Sequence, residues 1–199
     1  GYPAVPLVRP PAGDTVLIKQ FLDLGAQNLL VPMIDTVEQA RAVARAVQYP
    51  PVGDRGVGSA LARAARFNRV DDYLARARET ISVFVQIETA TAVDNVAQIA
   101  AVDGIDGIFV GPSDLAASMG RLGQQDHPDV VAAVRKCIAV AGELGKPVGV
   151  NAFAPTLARA YLAAGADYIL VGADVTLLAR GSEKFAADFI EESTGGPQS

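Results

Sequence analysis

The 199-residue sequence predicts an α/β fold, a (β/α)8 TIM-type barrel represented here without its first two strands. Three observations predict it. Short runs rich in Val, Ile, Leu and Phe recur between Gly, Pro or Asp, as strands buried on both faces require. A segment with helical periodicity follows each run, and such alternation implies a parallel sheet, because parallel strands need a helical crossover. The first strand–helix connection carries no G-x-G-x-x-G, which argues against the rival, an open doubly wound sheet.

The strands are expected at residues 5–9, 28–33, 82–88, 107–111, 147–152 and 168–172. Asp14 is a plausible N-cap for a helix over 15–24, where Val16, Leu17, Phe21 and Leu24 recur at helical spacing and Gly25 stops the turn. Further helices are expected over 36–46, 90–101, 128–144 and 155–164. An amphipathic segment at 185–190 has an apolar face that must dock on something. Residues between 53 and 69 read as a loop and helix packing near the site or a subunit. No linker composition interrupts the pattern, so residues 1–199 are expected to form one domain. Six units fall short of the ~250 residues of a full barrel. The chain opens Gly1-Tyr2-Pro3-Ala4 without Met, so a processed or missing N-terminal piece is expected.

Composition narrows the function. The formal charge is -5, which leaves no basic footprint for nucleic acid. No apolar run reaches the ~18 residues of a membrane span, and no signal segment is evident. The single cysteine, Cys137, excludes an internal disulfide and a thiolate-rich zinc site, which fits a reducing cytoplasm. On its helix Cys137 sits with Val134, Ile138 and Ala141, as a core thiol would.

Barrel enzymes build their sites at the C-terminal ends of the strands. There the sequence places Arg9, then Gln86 and Glu88, then Ser113 and Asp114. Alternation puts Gln86 and Glu88 on one face. Glu88 and Asp114 are one strand–helix unit apart, so their carboxylates should be neighbours, and such a pair repels unless a cation sits between. With no Cys or His nearby, a hard ion such as Mg²⁺ is expected, with Mn²⁺ or Co²⁺ as alternatives. The same acids would also serve as helix caps, and Arg9 as a surface ion-pair partner. Lys19, Lys136, Lys146 and Lys184 all fall on helices or loops, which argues against a Schiff-base aldolase.

Several long segments in order then resemble the HpcH/HpaI-type class II pyruvate aldolases. They are Val8-Arg9-Pro10, Leu29-Leu30-Val31-Pro32-Met33, Arg55-Gly56-Val57-Gly58-Ser59-Ala60-Leu61-Ala62-Arg63-Ala64 and Val85-Gln86-Ile87-Glu88-Thr89. Two more are Gly104-Ile105-Asp106-Gly107-Ile108-Phe109-Val110-Gly111-Pro112-Ser113-Asp114-Leu115 and Val171-Gly172-Ala173-Asp174-Val175-Thr176-Leu177-Leu178. The resemblance implies metal binding by Glu88 and Asp114 and pyruvate placement by Gln86. It implies that Arg9 holds the keto or enolate oxygen, and that backbone N–H groups at Ser113–Asp114 receive the carboxylate. Asn151 would face the aldehyde portion. The branch it looks closest to cleaves 4-hydroxy-2-oxoheptane-1,7-dioate, in aromatic-compound catabolism, to pyruvate and succinate semialdehyde.

The family's catalytic His lies on a strand preceding those found here. His127, the only histidine, reads as ordinary loop structure before a helix. Asp23 matches the Asp that partners that His, and it lies too far along its helix to reach its own site, so it is expected to serve a neighbouring subunit. A homo-oligomer is implied, a hexamer by resemblance, with the C-terminal helix docking on a partner. The rivals are a related acyl-CoA or citrate-type lyase, for which no basic cluster to hold CoA phosphates is evident, and a non-catalytic barrel subunit that binds metal and keto acid.

Overall fold

The computed structural model describes residues 4–194. Five parallel strands form one sheet in the order β1-β2-β3-β4-β5: β1 (Asn28–Val31), β2 (Ser82–Ile87), β3 (Gly107–Val110), β4 (Val148–Asn151) and β5 (Tyr168–Leu170). Neighbours in space are neighbours in sequence, with no reversal of strand order. A doubly wound sheet requires such a reversal, so the order is that of a barrel wall.

The helices among the described residues are α1 (Thr15–Asp23), α2 (Val37–Ala46), α3 (Tyr73–Arg76), α4 (Ala90–Asp94), α5 (Val96–Ala100), α6 (Pro112–Ser118), α7 (Pro128–Glu143), α8 (Pro155–Ala163) and α9 (Asp174–Thr194). Local chemistry sets where they begin. Asp14 accepts the N–H groups of Val16 and Leu17, both at 2.9 Å, and so starts α1. Thr36 and Gln39 exchange hydrogen bonds in a capping box at the head of α2. Pro128 and Pro155 occupy first-turn positions, where a missing N–H costs nothing.

Two expectations differ from the structure. The segment at residues 5–9 is reduced to a single parallel bridge, Val8 to Leu29, with Val8 N–H on the Asn28 carbonyl and Leu30 N–H on Val8, each at 2.9 Å. Pro6, Pro10 and Pro11 have no N–H to extend that ladder. The helix expected over 90–101 is divided at Asn95. That side chain donates to the Asp35 carbonyl at 2.8 Å, a tertiary bond that ties the break to the connection between β1 and α2.

The sheet has two differently packed faces. Val83, Val85 and Ile87 of β2 alternate outward and are fully buried with Ile18, Val43, Ile99 and Val134 in the sheet–helix core. The opposite face carries Phe84, Gln86, Phe109 and Tyr168. Glycines make room for these large rings: a Cβ on Gly107 would lie 2.4 Å from Phe84, and one on Gly149 would lie 2.3 Å from Tyr168. Tyr168 meets Phe84 edge-on, with ring centroids 6.0 Å apart.

Candidate active site

At the C-terminal ends of the strands a cavity of about 600 Å³ opens on the aromatic face of the sheet. Arg9, Gln86, Glu88, Ser113, Asp114 and Asn151 all line it, so six of the seven residues singled out from the sequence come together. The seventh, Asp23, does not.

β2 and the segment just beyond it build the centre. Gln86 is on the aromatic face of the strand, and its Nε2 donates to Glu88 Oε1 at 2.7 Å. Arg9 Nη1 approaches the same amide's Oε1 at 3.5 Å, so a line of polar groups runs Arg9–Gln86–Glu88. Met33, in the left-handed conformation at φ 57°, donates its N–H to Glu88 Oε2 at 3.2 Å. Neither that backbone donor nor the need for Gly111 was evident in the sequence. A Cβ at Gly111 would stand 2.6 Å from Glu88 Oε1, so only glycine leaves the carboxylate its place. A glycine immediately after a strand, before Pro-Ser-Asp, was the available signal for it.

Glu88 is only 3% exposed. Its carboxyl is pushed above the usual carboxylate range, chiefly by burial and further by the negative charge of Asp114, against the Met33 N–H and Arg9. Two carboxylates on one cavity wall, one of them desolvated, form a donor set of hard oxygens that a divalent cation satisfies. No cluster of three or more metal-ligating side chains exists among the described residues, so an ion held here would keep positions for water and substrate. The residues present fit such an ion.

Asp114 and Ser113 stand in the first turn of α6, whose N-cap, Gly111, supplies no side-chain acceptor. The N–H groups of that turn are therefore open to an anion in the cavity. Among the described residues no lysine or histidine lines the cavity. His127 is the N-cap of α7 and accepts the Asp129 N–H at 3.2 Å.

Asp23 ends α1 in a separate cluster. It accepts Lys19 Nζ at 2.5 Å and Arg55 Nη2 at 3.1 Å and remains 18% exposed. Arg55 is fully buried, bonds Tyr73 Oη at 3.3 Å, and lies over the ring of Tyr49 at 4.7 Å. The sequence marked Arg55 only as part of a loop. Arg63, Arg66 and Arg69 share another cavity, of about 560 Å³. That cavity also takes in Gln27 and Ile81, which precede β1 and β2, so it lies at the opposite end of the sheet.

The parallel strand order and helical crossovers are those of a (β/α)-barrel enzyme, with the polar cavity at the end where such enzymes act. The chain belongs to the HpcH/HpaI aldolase/citrate lyase family, whose model matches residues 1–181. It is 54% identical over 192 residues to the hydroxypyruvate/pyruvate aldolase of Deinococcus radiodurans, covering 96% of this chain and 69% of that one. It is 52% identical over 193 residues to the 4-hydroxy-2-oxo-heptane-1,7-dioate aldolase of Klebsiella pneumoniae, covering 97% and 73%. A crystal structure of a family member from Burkholderia cenocepacia superimposes with a TM-score of 0.88 at 41% identity, over 94% of this chain and 74% of that one. The chain is a carbon–carbon lyase of the aldolase type.

Proposed function

We propose that this aldolase cleaves a 4-hydroxy-2-keto acid between C3 and C4 to pyruvate and an aldehyde, through a pyruvate enolate. The observation that carries the reading is the Arg9–Gln86–Glu88 line with Asp114 on one cavity at the strand ends. Glu88 and Asp114 would hold Mg²⁺, or Mn²⁺ or Co²⁺, and the bound ion supplies positive charge where the enolate oxygen develops. The Arg9 guanidinium, a fixed cation, stabilises the same oxygen. Gln86 orients Glu88 and contacts the keto acid, and the open first turn of α6 at Ser113 and Asp114 receives its carboxylate. A base, directly or through water, takes the 4-hydroxyl proton. The C4 oxygen becomes the aldehyde carbonyl as the C3–C4 bond breaks, and that bond's electron pair forms the enolate, which is then protonated at C3.

4-Hydroxy-2-oxoheptane-1,7-dioate, giving succinate semialdehyde, is the substrate to assay first. The names of relatives at 50–52% identity support it. The acyl-CoA alternative finds no support, because Arg9 is the single cationic side chain among the described lining residues and the arginine cluster lies at the other end of the sheet. Asp23, outside the cavity and partly exposed, is assigned to the site of a neighbouring copy in a homo-oligomer. In the same assembly the exposed Leu177, Leu178, Phe185 and Phe189 of α9 would be covered.

The test is a coupled assay for pyruvate release from that substrate, with divalent metal added and with it chelated. Metal-dependent release supports the reading; a folded protein releasing none from this substrate or shorter 4-hydroxy-2-keto acids contradicts it.

A further inference from the structure

A second, smaller pocket of about 150 Å³ adjoins the candidate active site and shares Ser113 and Asn151 with it. Gln125 and Tyr161 join them in its lining, with Phe153 and Leu157 among the apolar residues. Tyr161 is 1% exposed, and its hydroxyl is buried without a hydrogen-bond partner. Ser113 and Gln125 are exposed and Asn151 half-buried, so their side chains are accessible beside it. Buried polar groups are as a rule satisfied, so an orphaned hydroxyl in a pocket wall calls for a partner from outside the chain. The space equals that of about five waters, enough for a short tail of a substrate held next door.

We propose that this pocket is the subsite for the far end of the aldehyde half, and that it selects aldehydes whose distal end bears oxygen. The proposal rests on the aldolase reading above, which places the keto acid on the Glu88 side of Ser113 and Asn151. Every polar side chain in the lining is neutral and can donate a hydrogen bond, so a terminal hydroxyl or carboxylate oxygen is bound there, whereas a methyl end leaves the donors unmatched. Burial pushes the Tyr161 hydroxyl pKa up, which keeps its proton available for donation.

The test runs the reaction in the synthetic direction, adding pyruvate to glyceraldehyde, succinate semialdehyde and butyraldehyde with Mg²⁺ or Mn²⁺ present. Wild type, Tyr161→Phe and Gln125→Leu are compared, the last on an exposed position that folding tolerates. The expected result is a kcat/KM preference for the two oxygen-ended aldehydes that falls about three- to tenfold in each variant, the size of one lost hydrogen bond. The loss appears in the aldehyde KM and not in the pyruvate KM. Whichever oxygen-ended aldehyde loses more identifies hydroxyl or carboxylate as the ligand. Equal use of butyraldehyde by wild type, or a preference unchanged in both variants, overturns the subsite. Oxaloacetate decarboxylation by wild type, which uses no aldehyde, separates the two failures: its absence counts against the aldolase reading, and its presence without any preference counts against the subsite alone.

Discussion

Glu88 and Arg55 are both charged groups taken out of water, at 3% and 0% exposure, yet the fold treats them in opposite ways. Arg55 is given the counter-charge of Asp23, the hydroxyl of Tyr73 and the faces of two tyrosine rings. Glu88 is given one amide, one backbone N–H, the more distant charge of Arg9 and a second carboxylate in the same cavity. The charge of the first is compensated within the chain by Asp23, although Arg55 Nε and Nη1 are buried without a hydrogen-bond partner among the described residues. The second is left short of positive charge, and a site that must take up a cation has that character.

Breaking each arrangement sharpens the contrast. The largest effect belongs to Glu88→Gln, which keeps the shape and removes the charge. Activity with added metal falls by about 10²-fold or more. Thermal unfolding without metal shows no loss of stability, because a buried, repelled charge has been removed. A clear drop in melting temperature would place Glu88 with Arg55 as a structural group.

Gly111→Ala acts on the same carboxylate through space, since the added methyl meets Oε1 at 2.6 Å. Metal titration followed by calorimetry should show weakened binding; unchanged affinity would mean that Glu88 is not a ligand. Arg55→Ala is expected to lower stability by about 3–5 kcal/mol in denaturant unfolding, by leaving Asp23 short of a partner and a void between tyrosines. A change under 1 kcal/mol would contradict the compensated-charge account.

The smallest effect concerns Cys137, whose thiol is raised by burial from 9.0 to about 12. The unfolded chain loses this proton first as pH rises, so the group's contribution to stability is full below about 8.5 and declines towards 12. Alkylation at pH 8 should be slow in the folded protein and rapid in denaturant. Equal rates would show that the α7 core is open.

Much of this was legible from local pattern. Alternation placed Gln86 beside Glu88, and the one-unit spacing brought Asp114 to the same end of the sheet, though in the first turn of α6 and not on the strand β3 itself. Cys137 was readable as core from helical spacing. What escaped was set by three-dimensional neighbours. The donation from Met33 depends on a left-handed backbone 55 residues away from Glu88. The need for Gly111 arises from a side chain on the adjacent strand. Arg55 looked like one of several loop arginines, since its burial depends on Asp23, Tyr49 and Tyr73 converging from separate segments. The strand at residues 5–9 was over-read because apolar content outweighed the prolines that deny it a ladder.

The most direct measurement is decarboxylation of oxaloacetate by the wild-type chain, with and without Mg²⁺ or Mn²⁺, against Glu88→Gln. That reaction passes through the same pyruvate enolate and needs no base for a hydroxyl proton. The account predicts metal-dependent turnover above that of the free ion, lost in the variant. Turnover no greater than the free ion's, from a folded protein, would contradict it.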